Sequence, residues 1–261
     1  MQRVVTKVAL LRWSTARFYR WNAIVSLPVY VAFAIVAPPR VETLAGAAGL
    51  SALMALTFWV TTEATRRGPI GVVAPLTAMS PAITVALAVV FLGERPDALA
   101  LAGVTCAVAA AILLALRPAE VGVGAWLALA LSSVALQGIG ALVAKIVVTE
   151  GGPTTLLITS VLVQLLVGSV IARAEPLGIR AQLHGMPLVV TLTLAAAALA
   201  TIGYLSALAV GPASLVVPLV ATSPALGGLL GILLLKERAT RPQVFGIAIG
   251  IVAIVLLARA S

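Results

Sequence analysis

The residues of this chain that could carry chemistry are sparse, and their positions argue against an enzyme. Its eight carboxylates are Glu42, Glu63, Glu94, Asp97, Glu120, Glu150, Glu175 and Glu237. Each falls at the end of an apolar run or in a loop. No run holds a nucleophile–base pair, an acid pair or a metal-ligand cluster, so no catalytic residue, cofactor or metal is expected. Cys106 has no partner for a disulfide. His184 is solitary too and reads as a solvated loop residue.

What remains is a set of uncharged polar groups and prolines embedded in apolar runs. The prolines are Pro75, Pro81, Pro218 and Pro224; the polar groups are Trp59, Thr62, Thr77, Ser80, Gln137, Tyr204, Thr222 and Ser223. Hydroxyls and amides can line a path for a small solute, and Trp59 and Tyr204 can supply aromatic walls or interface anchors. A proline inside a helix removes a backbone hydrogen bond, at a cost of about 3 kcal/mol in a soluble helix. In lipid the freed carbonyl needs a partner, so such breaks face protein or a water-filled cavity. Two bland readings stand beside this one: prolines that kink helices for packing, and hydroxyls bonded to their own helix.

The charged groups are read structurally. Arg66 and Arg67 lie three and four residues after Glu63, where a helix would pair them with it at a membrane interface. Glu94-Arg95 and Glu237-Arg238 fall at matched helix ends and are expected to be polar stops, each pair partly neutralising itself.

Stepping outward, 62% of the 261 residues are hydrophobic and 10% charged, with a mean hydropathy of +1.17. A soluble fold of this size needs more polar surface. Charges form islands between apolar runs of roughly 16 to 24 residues, long enough to cross a hydrocarbon core. The expected partners are the lipid bilayer and a small-molecule substrate, in a cell (plasma or inner) membrane, as a homo- or hetero-oligomer. The formal charge of +9 does not signal nucleic acid, because the basic residues sit at helix ends. Arg3, Lys7, Arg12, Arg17 and Arg20 precede any sustained apolar run, and no cleavable signal peptide is read there.

Nine spans are expected, at about 20–37, 43–62, 70–92, 98–116, 122–143, 153–172, 187–208, 212–235 and 243–259. The chain also says one thing twice. Gly68-Pro69-Ile70-Gly71-Val72-Val73-Ala74-Pro75-Leu76, with Ser80-Pro81-Ala82, returns as Gly211-Pro212-Ala213-Ser214-Leu215-Val216-Val217-Pro218-Leu219, with Ser223-Pro224-Ala225. The offset is 143 residues throughout, carrying Glu94-Arg95 onto Glu237-Arg238 and Gly103 onto Gly246. Two related halves, 1–118 and 119–261, each with the same proline-broken helix, mark a transporter built from repeats. Span five has no counterpart, so the first half holds four helices and the second five. One N-terminal helix of about 20 residues is expected to be absent from the sequence. Small residues, including Ala225-Leu226-Gly227-Gly228 and the Gly246/Gly250 pair, are expected to let helix backbones approach closely.

Through these motifs the chain resembles the EamA-type members of the drug/metabolite transporter superfamily. The resemblance rests on Arg67 through Leu76, Phe91-Leu92-Gly93-Glu94-Arg95-Pro96, Gly211-Pro212 and Leu235-Lys236-Glu237-Arg238. It implies two five-helix repeats of opposite orientation. It also implies a transporter, not an enzyme, that exports amino acids, related metabolites or drugs by alternating access. The alternatives are a truncated or hetero-oligomeric non-transporting membrane subunit, or a lipid-carrier flippase. The basic residues divide 13 to four between the two sides, which puts the N-terminus of a nine-helix chain in the cytoplasm. The ten-helix family arrangement puts the same stretch outside.

Overall fold

Caps, glycines and prolines set where the helices begin and end. The computed structural model describes residues 14–68, 73, 76–77, 79–115, 125–172, 187–222 and 241–260. Helix α1 is Thr15–Val36, started by Ser14, whose hydroxyl accepts the Arg17 N–H at 3.2 Å. It stops before Pro38-Pro39. A 3₁₀ turn at Val41–Thr43 leads into α2, Leu44–Arg67, which ends in two arginines that suit a helix C-terminus. Helix α3, Ser80–Leu92, closes on Gly93 at φ 66°, the left-handed position that glycine takes without strain. Asp97 then caps α4, Ala98–Ala115, by accepting the Ala100 N–H at 2.7 Å.

Helix α5 is Ala125–Ala172, broken where Gly152 takes φ 74° and ψ 162° ahead of Pro153. The two spans expected at 122–143 and 153–172 are its two limbs. Helix α6, Leu188–Val210, ends at Gly211-Pro212, and Pro212 starts α7, Ala213–Ala221. Helix α8 is Arg241–Arg259.

One expectation needs correction. The run 70–92 was expected to be a single kinked span with Pro81 inside it. Helix α3 instead begins at Ser80, with Pro81 in its first turn. There the missing N–H costs nothing, because the first N–H groups of a helix have no intrahelical partner.

The protein is an all-α, polytopic membrane protein. Five of the described helices are long and apolar enough to cross a membrane: α1, α2 with its 3₁₀ turn, the doubled α5, α6 and α8. Helices α3 and α4 are apolar but shorter. Large apolar side chains such as Phe91, Leu166 and Leu199 stand exposed, as a lipid-facing surface requires.

The helices cluster into two compact units. The first takes Met1–Thr62 and Val143–Val210, the second Glu63–Leu142 and Gly211–Ser261. Each draws helices from both halves of the sequence. The first unit buries Phe18, Val190 and Leu194 against Trp21, Val25 and Phe58. In the second, α8 packs along α4, and α7 packs on α3 and α4. Val85, Val104, Leu215 and Leu257 meet at that packing. Gly103 makes it close: a Cβ there would stand 2.8 Å from Leu257 Cγ.

Candidate functional site

Each copy of the proline motif carries a turn at the same place. In the first copy the break falls at Met79 (φ −82°, ψ −10°), whose N–H bonds the Leu76 carbonyl at 3.0 Å. In the second it falls at Thr222 (φ −79°, ψ −9°), whose N–H bonds the Leu219 carbonyl at 3.2 Å. These residues lie 143 positions apart, the offset of the sequence repeat. Each turn ends one helical segment just before a Ser-Pro pair, because proline excludes the α conformation from the residue before it unless a new helix starts there. Both breaks lie in the second unit, on α3 and α7, which pack against each other.

Several of the expected path residues gather around these breaks. Thr77 and Pro81 are buried, and the Ser80 carbonyl accepts the Thr84 hydroxyl at 3.3 Å. Gly138 of α5 lies against the same spot: a Cβ on it would meet Ile83 Cγ2 at 2.6 Å and the Ser80 carbonyl at 3.3 Å. Beside it Gln137 donates to the Ser133 hydroxyl at 2.7 Å, and Thr84 also donates to the Gly138 carbonyl at 3.2 Å. In α7, Pro218 is fully buried, and its ring removes the N–H that would bond the Ser214 carbonyl. Buried Thr222 donates its hydroxyl to the Leu219 carbonyl at 2.6 Å. Its hydroxyl thus serves its own helix, as the bland reading supposed.

Three expected residues lie in the first unit, apart from that cluster. Thr62 is buried, while Trp59 and Tyr204 are half-buried. Trp59 lines an apolar groove of about 320 Å³ with Ala52, Ala55, Leu56, Val163 and Val167. Pro75, Ser223, Pro224, Glu237 and Arg238 lie outside the described residues.

Two features escaped the sequence. The first is Tyr19. Its ring stands 4.9 Å from Phe58 and 6.5 Å from Trp59, the latter edge-on at 79°. The side chain is fully buried, and its hydroxyl has no hydrogen-bond partner among the described residues. Buried phenols normally find one, which sets this hydroxyl apart from the other buried polar groups. Tyr19 lies just before the span expected at about 20–37.

The second is the partner of Glu94. Expected to answer Arg95, it instead accepts two backbone N–H groups, from Ala213 and Ser214, each at 2.8 Å. Its carboxylate caps α7, where the partial positive charge of a helix N-terminus favours an anion. The four N–H groups that open a helix have no bond within it, which is why the carboxylate goes there. Arg95 remains exposed. Around this junction lies a recess of about 210 Å³ edged by Glu94, Asp97, Pro212 and Ser214.

Glu63, by contrast, behaves as its spacing predicts. Its Oε2 accepts Arg66 Nη2 at 2.9 Å and Arg67 Nε at 2.8 Å. No group of three or more metal-ligating side chains occurs among the described residues.

Comparison with known proteins agrees with this architecture. The family model described as "EamA-like transporter family" matches residues 1–116 and 124–259. No curated protein matches the sequence. Among solved structures 28 chains match. One, titled only "Crystal structure of protein", gives a TM-score of 0.75 at 12% identity, covering 98% of this chain and 93% of that one. At that identity the likeness speaks for the fold.

Proposed function

The chain belongs to the EamA-like transporter family of membrane transporters, and from that premise we propose that it exports a small organic metabolite by alternating access. The solute class is amino acids, related metabolites or drugs, and the setting is a cell membrane. The two repeats are residues 1–118 and 119–261, lying in the bilayer in opposite senses.

The matched breaks at Met79 and Thr222 carry this reading. A discontinuous helix leaves carbonyls and N–H groups without helical partners, and at membrane depth such groups survive only beside protein or a solvated cavity. Placed twice by an internal repeat, they mark the midplane site of a repeat-built transporter. Pro81, in the first turn of α3, and Pro218, inside α7, are both buried, so neither faces lipid.

The solute path then runs beside Thr77, Ser80, Pro81, Gln137, Pro218 and Thr222, with Pro75, Ser223 and Pro224 as its sequence-matched members. Trp59, Thr62 and Tyr204 are the further candidates, and they lie in the first unit.

Such a path binds uncharged polar solute groups through hydroxyls and one amide. The bound solute's charge, where it has one, is left to backbone dipoles at the breaks. The test is a thermal-shift screen of amino acids, their derivatives and cationic drugs on the purified protein, followed by uptake of the hits into proteoliposomes. A true substrate stabilises the folded state in proportion to its occupancy. Substitution of Thr222 or Gln137 by alanine is expected to weaken that shift. A hit whose shift and uptake survive both substitutions would remove the path from these breaks.

A further inference from the structure

We infer that Glu94 is a positioning residue for the second repeat's share of the solute path, acting through the backbone of α7. The inference rests on the reading of Pro218 and Thr222 as path residues.

Helix α7 has nine residues, too short to persist without support. Its N-cap is Pro212, which offers no side-chain cap. The support comes from the first repeat: both oxygens of Glu94 engage the first two N–H groups of α7, at 2.8 Å each. Glu94 is itself held by the left-handed turn at Gly93, and its own N–H bonds the Ala88 carbonyl at 3.3 Å. Through these bonds the end of α3 fixes the start of α7. Pro218 and Thr222 follow within the next two and a half turns.

The junction is shielded. Ser214 is 2% exposed, so water does not compete freely for the bond. Any movement of α7 away from α3 must first release Glu94. The Gly-Glu-Arg stop of one repeat is therefore a clamp on the broken helix of the other.

The experiment uses the full chain in lipid nanodiscs. Cys106→Ser removes the lone thiol, Ser214→Cys installs a reporter at the clamp, and a water-soluble maleimide reads its exposure. Glu94→Gln keeps the size of the side chain but loses one acceptor and the charge. It should speed labelling roughly tenfold or more, the scale expected when a charge-assisted bond no longer opposes local opening. Arg95→Gln, a neighbouring exposed charge, should leave the rate unchanged.

Ala213→Pro is the second variant. It deletes one donor at the first helical position, where proline is accepted, and Pro212 at ψ 140° already has the conformation a following proline demands. It too should speed labelling. A cysteine at buried Thr159 in the first unit should stay unlabelled in every variant.

Unchanged labelling in Glu94→Gln or Ala213→Pro would overturn the clamp, and so would labelling at position 159. With a transported solute in hand, Glu94→Gln should lower the maximal rate and leave KM unchanged. If no solute is moved while the labelling result holds, the transport reading fails and the clamp stands.

Discussion

Within each of the two units different polar bonds join neighbouring elements, and helix ends and breaks draw side chains onto backbone. In the first unit polar side chains on neighbouring helices answer one another. Asn22 donates to Gln164 at 3.0 Å, Trp21 to Thr191 at 3.3 Å, and Ser51 to Thr159 at 2.9 Å. In the second unit Glu94 accepts the first two N–H groups of α7, and Thr84 donates to the Gly138 carbonyl.

An unbroken helix satisfies its own backbone, so its polar side chains must find each other. A helix end or break offers bare N–H and C=O groups, and a neighbour's side chain takes them. The first unit obeys the same rule where it is broken. At the Gly152 break Arg40 Nη1 donates to the Glu150 carbonyl at 2.8 Å, and the Arg40 N–H reaches Thr155 at 2.8 Å.

The largest effect is expected at Gly138, where α5 packs closely on α3 in the second unit. A Cβ at Gly138 would stand 2.6 Å and 2.7 Å from Ile83 Cγ2 and Cβ. Ile83 is β-branched and stiff, so the backbone would have to move. Gly138→Ala should destabilise by about 1–3 kcal/mol, as overpacking does. Two residues on, Gly140 has open space where its Cβ would go. Gly140→Ala should be neutral or stabilising within about 1 kcal/mol. Thermal unfolding of both variants in one detergent decides the matter, and equal losses would deny α3 and α5 their close contact.

A middling effect is expected in the first unit. Interhelical side-chain hydrogen bonds in membranes are worth about 0.6 kcal/mol on average and at most about 1.7. The double-mutant cycle Asn22→Ala with Gln164→Ala should return a coupling in that range. A coupling of zero would mean that apolar packing alone registers α1 against α5.

How much of this was legible beforehand depends on how far each feature reaches along the chain. The spans were readable because apolar length and turn residues are local: α1, α4, α6 and α8 begin and end within a few residues of their expected limits. The Glu63 pairing was readable for the same reason, since its partners lie three and four residues away. The breaks were half readable. The sequence marks Pro81, but only the turn at Met79 decides whether proline kinks a helix or begins one.

The partner of Glu94 was not readable at all. Its acceptors bond N–H groups 119 and 120 residues downstream, and backbone donors leave no mark on residue identity. Tyr19 was hidden differently. The first span was expected from about residue 20, whereas Ser14 starts a helix that takes in Arg17 and Arg20 and buries the ring between them.

The smallest effect tests the comparison at its edge, with a polar contact that crosses between no elements. Glu63 pairs with Arg66 and Arg67 inside one turn of α2, at the end where positive charge suits the helix dipole. Arg66 is 45% exposed on its side chain, and Glu63 keeps Arg67 at 2.8 Å when Arg66 is removed. Such a pair adds about 0.2–0.5 kcal/mol to a helix and is screened by salt. The share of any loss in Arg66→Gln that belongs to this pair should therefore be about that size, and it should shrink as ionic strength rises. A loss that exceeds the Asn22–Gln164 coupling, or that ignores salt, would show that this end of α2 is tied to something beyond its own last turn.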